Sequence, residues 1–332
     1  MEEIRAIEIA VNIFLQSLGP WLQVIMKVFT NLGSEIFFIL VMPAIYWCVD
    51  AYVGLRVGVM LLLSGTFNNI FKLLFRGPRP YWISDKVTPV VHESSFGIPS
   101  GHAMNSASVW GWMAVEAKKR WSTILALVII FLIGFSRLVM GVHFLSDVLL
   151  GWLLGGILVL VFAKVNKPVD AWLKTLTYGK QILLAFASST VMILLALAAR
   201  SLHVEWQMPV EWAVRAGEID PLSVNGTLTM AGTWFGMLGG FAWLRHKYGI
   251  MSTKSPAWKL LIRYLVGLAG VLVIYLGLGQ LFSMLSTTFE LAWVTALLRY
   301  IRYSLIGLWV SLLAPLLFKA LKLAEIEPVD TD

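Results

Sequence analysis

Long, uninterrupted runs of apolar residues dominate the chain between positions 34 and 318. An apolar run of about 20 residues crosses the hydrocarbon core of a bilayer as an α-helix. The runs are continuous rather than alternating, which argues against a membrane β-barrel. The pattern predicts an all-α fold, a polytopic transmembrane helical bundle whose nine spans cover residues 34–49, 53–75, 99–115, 121–140, 144–163, 182–199, 226–244, 260–285 and 294–318.

The first stretch of the chain, residues 4–31, has a different pattern. Gly19-Pro20 interrupts it, and polar side chains are spaced among its apolar positions: Asn12, Gln16, Gln23 and Lys27. This pattern predicts a pair of amphipathic helices that lie in the membrane interface. A tenth, kinked span over the same residues is the alternative.

Composition agrees with a membrane protein. Hydrophobic residues make up 58% of the 332 residues and charged residues only 14%, whereas a typical soluble domain is about 25% charged. So few charges cannot coat a soluble enzyme of this size, and the composition also excludes a disordered protein and a coiled coil. The single cysteine, Cys48, cannot form an internal disulfide.

The net charge of +7 is a topology signal rather than a sign of a nucleic-acid partner. Most of the cations cluster in loops at residues 118–120, 164–180, 245–263 and 319–322. With nine spans, all four clusters fall on one side of the membrane, which the positive-inside tendency makes cytoplasmic.

Three segments place costly polar groups at span ends on the opposite side, where such residues are functional candidates. In the first, Lys72 occupies the last turn of a span and Arg79 follows a Gly-Pro turn. Folding back at this turn lets the two cations converge, and converging cations suit a phosphate group. A juxtamembrane basic cluster without a ligand is the alternative.

The second segment is Pro99-Ser100-Gly101-His102, which opens the predicted helix at 102–115. A helix N-terminus offers free backbone N–H groups to an anion. Ser100 suits an N-cap, Gly101 lets the backbone approach a ligand closely, and His102 can exchange a proton near neutral pH. An ordinary helix start with an interfacial histidine is the alternative.

The third segment runs from Ser136-Arg137 to Asp147. His143 and Asp147 are four residues apart and are predicted to be neighbours on one helix. A carboxylate beside an imidazole fixes its tautomer and frees the other nitrogen for attack. Gly141 allows a break that turns Arg137 toward the same point. A buried His-Asp hydrogen bond that serves packing alone is the alternative.

Together the three segments resemble the three-part signature of the type 2 phosphatidic acid phosphatase (PAP2) superfamily. The matching residues are Lys72-x6-Arg79-Pro80, Pro99-Ser100-Gly101-His102 and Ser136-Arg137-x5-His143-x3-Asp147. The resemblance covers residues 34–165. It implies a lipid phosphate phosphatase that needs no cofactor and no metal.

The resemblance also implies a role for each signature residue. His143 attacks phosphorus and forms a phosphohistidine, Asp147 orients it, and His102 protonates the leaving group and later activates water. The phosphoryl oxygens are held by Lys72, Arg79, Ser100, Gly101 and Arg137.

Other polar residues near these segments are weaker candidates. His92 and Glu93 lie in the 81–98 loop, where a solvated surface position is favoured over contact with a headgroup. Asn68 and Asn105 lie one helical turn from signature residues, and we expect them to make interhelical hydrogen bonds.

These observations divide the chain into three expected parts: an interfacial amphipathic segment at 1–33, a catalytic transmembrane core at 34–165 and a C-terminal transmembrane extension of four spans at 166–332. The favoured hypothesis is a phosphatase for a lipid phosphate or diphosphate monoester, acting among membrane lipids at the non-cytoplasmic face. A lipid phosphotransferase and a non-catalytic lipid-transport protein with a relic site are the alternatives. The expected location is a bacterial inner membrane with the site facing the periplasm, and the endoplasmic reticulum is the alternative.

Overall fold

A computed structural model describes residues 2–289 and 291–328, and most of them are helical. In chain order the helices are α1 (Glu2–Ser17), α2 (Pro20–Asn31), α3 (Glu35–Cys48), α4 (Ala51–Phe75), α5 (Pro80–Ile83), α6 (Gly101–Ala117), α7 (Arg120–Val139), α8 (Leu145–Lys174), α9 (Tyr178–Ser201), α10 (Val210–Ala216), α11 (Asn225–Lys247), α12 (Ala257–Leu272), α13 (Leu278–Phe289), α14 (Ala292–Leu308) and α15 (Ala314–Ala320). Two π-helical turns, Val273–Gly277 and Trp309–Leu313, join α12 to α13 and α14 to α15. Two short strands, β1 (Ile250–Met251) and β2 (Ile326–Glu327), pair antiparallel.

The predicted all-α polytopic fold is confirmed, and every predicted span coincides with a helix or with a helix continued through a π-helical turn. Six helical stretches in the described part of the chain are long and apolar enough to cross a membrane: 51–83, 120–139, 145–174, 178–201, 257–285 and 292–320. The other three predicted spans correspond to α3, α6 and α11. The total of nine spans stays a prediction.

The N-terminal stretch forms two helices, as the sequence predicts, and α1 and α2 are bent by 107° at Gly19-Pro20. Gly19 has φ +101°, a conformation that glycine adopts readily, and Pro20 occupies the first turn of α2. If its two helices crossed the membrane together, the pair would add one span to the six long apolar stretches. Its interfacial position stays a prediction.

Contacts divide the chain into two compact units that differ from the three predicted parts. Unit 1 comprises residues 1–38, 67–164 and 195–224, and unit 2 comprises residues 39–66, 165–194 and 225–332. All eight signature residues belong to unit 1, together with α1 and α2. The three-part division at residues 33 and 165 stays a prediction.

Close packing of α6 against α8 brings the signature segments of unit 1 together. Gly151 and Gly155 of α8 face α6 one turn apart. A Cβ atom at these positions would lie 2.8 Å from the carbonyl oxygen of Ser100 and 2.6 Å from that of Met104. Small residues at this spacing let two helix backbones approach closely.

In unit 2, the glycine-rich helix α11 packs closely against α14, as small residues at a helix interface allow. A Cβ atom at Gly236 would lie 1.8 Å from the carbonyl oxygen of Ser304. Nearby, the buried guanidinium of Arg263 donates to the carbonyl oxygens of Trp47, Ser252 and Leu323 at 2.7–3.2 Å. It also donates to Ser255 Oγ at 2.8 Å.

Candidate active site

The first two cations of the predicted site converge on one residue of the loop between α5 and α6. Lys72 Nζ donates to Ser95 Oγ at 2.8 Å, and Arg79 Nη2 approaches the same oxygen at 3.2 Å. The chain reverses between them through Arg76, which has φ +49°, followed by Gly77-Pro78. The predicted convergence of Lys72 and Arg79 is therefore present.

The fully buried Arg79 side chain uses every N–H of its guanidinium. Nε donates to the Ser95 carbonyl at 2.8 Å, and Nη2 donates to the Phe96 carbonyl at 3.1 Å as well as to Ser95 Oγ. Nη1 donates to the Val142 carbonyl at 2.9 Å and lies 3.2 Å from His143 Nε2. Arg79 thus links the loop at residues 95–96 to the turn that carries His143.

The turn at residues 140–144 places His143 just before α8 rather than on it. Gly141 has φ +69°, which provides the predicted break after α7. Helix α8 begins at Leu145, so His143 and Asp147 do not share one helix as the sequence predicted. They still meet because Asp147 Oδ2 accepts the backbone N–H of Phe144 at 3.0 Å and lies 3.3 Å from His143 Nδ1. This is the reciprocal half of a capping box.

The two neighbours of the His143 ring assign its tautomer. An arginine can only donate, so Nε2, which faces Arg79 Nη1, accepts a hydrogen bond. Nδ1 then carries the proton and donates a hydrogen bond to Asp147 Oδ2. Burial lowers the pKa of His143 well below its usual value, and the positive charges of Arg79 and Arg137 lower it further. The ring is therefore neutral at neutral pH, with a lone pair on Nε2.

Arg137, in the last turn of α7, is the third cation, and its partners are side chains. Nη1 donates to Thr30 Oγ1 of α2 at 2.7 Å, and Nη2 forms an ion pair with the carboxylate of Glu93. Nε has no hydrogen-bond partner among the described residues. Arg137 therefore keeps a buried donor that a ligand could use.

The start of α6 lies against the same turn. Ser100 is the N-cap, its Oγ accepting the N–H of Ala103 at 3.5 Å, as the sequence predicts. The backbone N–H of Ser100 donates to the Asp147 carbonyl at 3.0 Å, which ties α6 to α8. Gly101 passes close to Asn68, whose Oδ1 would lie 3.0 Å from a Cβ atom there.

His102 follows in the first turn of α6 and is half-buried. It lies within electrostatic range of Arg137, Glu93 and Lys72. Asn68 of α4 donates to the Pro99 carbonyl, just before α6, at 3.1 Å. It makes the predicted interhelical hydrogen bond to Met104 Sδ of α6 at 3.9 Å. The start of α6 therefore places His102 beside the cations that the other two segments contribute.

Three polar residues of α1 contact the His143 segment, a role that the sequence analysis missed. Asn12 Nδ2 donates to the carbonyls of Leu138 and His143 at 2.9 and 3.2 Å. Glu8 Oε1 accepts the N–H of Ser146 at 2.7 Å, and Gln16 Nε2 donates to the Val139 carbonyl at 3.4 Å. Their spacing of four residues places all three on one face of α1. That spacing was the available signal, but the same stripe is expected of an interfacial helix.

Glu93 also differs from the expectation, because the sequence favoured a solvated surface position for it. Its carboxylate pairs with Arg137 and lies 3.9 Å from Arg79 Nη2. Burial alone would raise the pKa of Glu93, but Arg137 and Arg79 outweigh burial and hold that pKa well below its usual range. The carboxylate is therefore ionised throughout the neutral range.

Comparison with protein families gives two matches, one mainly in the first half of the chain and one in the second half. Residues 53–169 match the PAP2 superfamily, and residues 228–326 match the transmembrane extension of PAP2 superfamily phosphatases. The first match contains all eight predicted site residues.

Among similar proteins, phosphatidylglycerophosphatase B of Bacillus subtilis is 36% identical in an alignment 152 residues long, and the match covers 41% of this chain and 71% of that protein. Mouse sphingosine-1-phosphate phosphatase 1 is 29% identical over 47% of this chain and 37% of its own length. Human glucose-6-phosphatase 3 is 26% identical over 65% of this chain and 68% of its own length.

Among solved structures, the crystal structure of a transmembrane PAP2-type phosphatidylglycerolphosphate phosphatase from Bacillus subtilis is similar. It is 29% identical, covers 51% of this chain and 89% of that one, and superposes with a TM-score of 0.45. On the family matches and the identity to phosphatidylglycerophosphatase B, the chain belongs to the PAP2 superfamily and is an integral-membrane phosphoric monoester hydrolase.

Proposed function

We propose that this phosphatase hydrolyses a lipid phosphate or diphosphate monoester through a covalent phosphohistidine at His143. The observation that carries the proposal is the arrangement of the His143 ring. Asp147 accepts a hydrogen bond from the N–H of Nδ1, and Nε2 presents its lone pair beside Arg79. A neutral imidazole held in this tautomer is an activated nucleophile.

In the first proposed step, His143 Nε2 attacks phosphorus and the bond from phosphorus to the leaving oxygen breaks. His102, protonated when the negative charge of a bound phosphate lies beside it, gives its proton to the leaving alkoxide, and the imidazolium of the phosphohistidine is stabilised by Asp147. In the second step, neutral His102 takes a proton from water as the water oxygen attacks phosphorus. The P–N bond then breaks, orthophosphate leaves and both histidines return to their starting forms.

The cations stabilise the negative charge that spreads over the phosphoryl oxygens in both steps. Lys72 donates to Ser95 Oγ, and Arg137 donates to Thr30 Oγ1 and to the Glu93 carboxylate. A phosphate could replace each of these side-chain acceptors. Arg79 is held by three backbone carbonyls and contacts His143 directly. Its Nη1, which faces His143 Nε2 in the free enzyme, turns to a phosphoryl oxygen when that nitrogen attacks.

An apolar groove of about 640 Å³ along α6, α7 and α8 supports a lipid substrate. Its lining includes Ala107 and Phe131, each six residues along its helix from Gly101 and Arg137. Six residues of helix correspond to about 9 Å, so a chain attached to a bound phosphate reaches the groove. The names of phosphatidylglycerophosphatase B and the sphingosine-1-phosphate phosphatases agree with a lipid substrate.

We infer that the site faces the non-cytoplasmic side, which is the periplasm or exterior if the membrane is a bacterial inner membrane. The basic loops at 118–120, 164–180, 245–263 and 319–322 support this orientation by the positive-inside tendency. Cysteine substitution in the 84–98 loop, followed by labelling of intact cells with a membrane-impermeant thiol reagent, tests it. Labelling only after the cells are broken would place the site on the cytoplasmic side.

The proposed function is tested by phosphate release from a panel of substrates in detergent. The panel contains phosphatidylglycerophosphate, sphingosine 1-phosphate, a polyprenyl diphosphate and the water-soluble glucose 6-phosphate. We expect turnover of a lipid and little turnover of glucose 6-phosphate. His143→Ala should reduce release at least 1,000-fold, on the order of the loss seen for a missing nucleophile.

Two outcomes would contradict the proposal. His143→Ala that releases phosphate at the wild-type rate would remove the phosphohistidine. Phosphate recovered on an acceptor lipid instead of in solution would reassign the protein as a phosphotransferase.

A further inference from the structure

The three cations of the site are buried in the free enzyme, although a phosphate must reach them. Lys72 is 7% exposed, Arg79 0% and Arg137 1%. A substrate can contact these side chains only if a group that now covers them moves. The identity of that group follows from the partners of the cations.

The group that covers the arginines is the side chain of Glu93. Its carboxylate pairs with Arg137 through one oxygen and lies 3.9 Å from Arg79 Nη2 through the other. A carboxylate and a phosphate offer the same kind of oxygen to an arginine fork. The Glu93 side chain is 27% exposed, so it borders solvent while both arginines are enclosed.

The backbone of Glu93 is anchored, so displacement of the carboxylate requires only a rotation of the side chain. The hydroxyl of Tyr81 donates to the carbonyl oxygen of Glu93 and accepts its N–H, both at 3.2 Å. Tyr81 itself is buried in the core of unit 1. The loop can therefore keep its position at Ser95, where it holds Lys72, when the Glu93 side chain turns away.

We propose that Glu93 is a specificity-determining residue whose carboxylate occupies the phosphoryl subsite of the free enzyme and is displaced by the phosphoryl group of the substrate. The inference rests on the proposed function, because it names what the same site selects. A phosphate monoester carries about two negative charges and three terminal oxygens, and it outcompetes one carboxylate for Arg137. A phosphodiester has one charge and two free oxygens, so it does not, and the membrane phospholipids that surround the site are excluded.

The test is direct binding of inorganic phosphate, measured by calorimetry on detergent-purified full-length protein. In Glu93→Gln the competing charge is removed and the side-chain shape is kept. We expect the Kd for phosphate to fall about tenfold, as expected when one charge-assisted contact no longer competes. The matched control is Asp85→Asn, which removes the same charge from an exposed position of the same loop. Its Kd should equal that of the wild type.

A second variant separates occupancy of the subsite from simple repulsion. Glu93→Asp keeps the charge but shortens the side chain by one methylene group, so its carboxylate reaches Arg137 poorly. Occupancy predicts tighter phosphate binding in Glu93→Asp as well, whereas repulsion alone predicts the wild-type Kd. Glu93→Asp also keeps a negative charge near the buried arginines if Glu93→Gln does not fold.

Weaker phosphate binding in both Glu93 variants would overturn the proposal and make Glu93 a structural support of Arg137. Absence of measurable phosphate binding in the wild type and in both variants would overturn it too. The proposed function is judged separately, because hydrolysis of the lipid panel does not depend on the affinity for free phosphate. A lipid phosphatase with wild-type phosphate affinity in Glu93→Gln would refute only the assignment of Glu93.

Discussion

Two buried arginines, Arg137 in unit 1 and Arg263 in unit 2, are held by different kinds of partners. Arg263 donates to three backbone carbonyls and one serine hydroxyl. Arg137 donates to the hydroxyl of Thr30 and to the carboxylate of Glu93. The Nε atoms of both arginines have no partner among the described residues, so the two side chains differ only in what their Nη atoms bind. Both guanidiniums are enclosed by protein, yet Arg263 is held mainly by backbone carbonyls, whereas both partners of Arg137 are side chains that a rotation could remove.

The difference separates a structural arginine from a binding one. A backbone carbonyl inside a helical protein cannot leave without local unfolding, so the donors of Arg263 are committed to the fold. A carboxylate on a loop can turn to solvent and yield its place to another anion. Four predictions follow the contrast, from the largest expected effect to the smallest.

Arg137→Met should reduce phosphate release about 100- to 1,000-fold, because a donor that stabilises transition-state charge is lost. Thermal stability should change little, since the freed Glu93 carboxylate can turn to water. Specific activity of monodisperse protein and its melting temperature in detergent measure the two effects. A large drop in melting temperature with full specific activity would make Arg137 a structural residue like Arg263.

Arg263→Met should show the opposite behaviour. The substitution leaves two buried and two partly buried acceptors without their donor, and each buried group orphaned in this way costs about 1 to 3 kcal/mol. We expect stability to fall by about 3 kcal/mol or more, with unchanged specific activity in the protein that remains folded. Unfolding in denaturant, read beside activity, checks this. Unchanged stability would show that these carbonyls find other donors.

Asn12→Leu tests whether carbonyl contacts near the chemistry act on rate rather than on fold. The substitution removes the donor to the Leu138 and His143 carbonyls, and we expect kcat to fall about tenfold with KM nearly unchanged. The matched control, Asn31→Leu at an exposed position of α2, should have wild-type kcat. Equal effects of the two variants would remove the positioning role of Asn12.

The smallest expected effect is on the protonation of His143, which tests whether burial and the nearby arginines lower its pKa. Burial, Arg79 and Arg137 all lower the pKa of His143, so the neutral form persists as pH falls below 6.5. An ordinary histidine would be about three-quarters protonated at pH 6.0, and we expect His143 to stay mostly neutral. Histidine-resolved NMR, with the signal assigned by its loss in His143→Ala, measures this. A midpoint at 6.5 would contradict the predicted effect of burial and charge.

Local chemistry in the sequence was sufficient to predict the convergence of the cations and the His143–Asp147 contact. Gly141, the Gly-Pro turn before Arg79 and the N-cap at Ser100 each determine the local backbone. The i, i+4 spacing of His143 and Asp147 predicts that they share one helix, whereas the contact forms through a capping box at the start of α8. A separation of four residues along the sequence is compatible with a shared helix and with a capping box.

Contacts made by distant or irregular segments could not be predicted. Glu8, Asn12 and Gln16 form a polar stripe, and such a stripe has the same period whether it faces headgroups or a protein surface. Glu93 lies in a loop without periodicity, where no pattern indicates which way a side chain points. Helix α8 also continues past the predicted end at 163 and through Pro168, and Asp170 and Lys174 form an ion pair at 2.9 Å in its last turns.

Asp147 both supports the local fold and orients the His143 ring. One carboxylate oxygen caps α8 and orients the nucleophile, and the backbone carbonyl receives the first N–H of the α6 segment. In a saturation mutagenesis library, variants at this position should therefore lose folding and turnover together, so that no substitution trades one for the other. Substitutions at position 93 should instead change phosphate affinity by degrees. The protein would tolerate many side chains there, and each would give a different affinity for phosphate. For directed evolution of this scaffold, the tunable residue is the one on the loop and the immutable one is at the helix start.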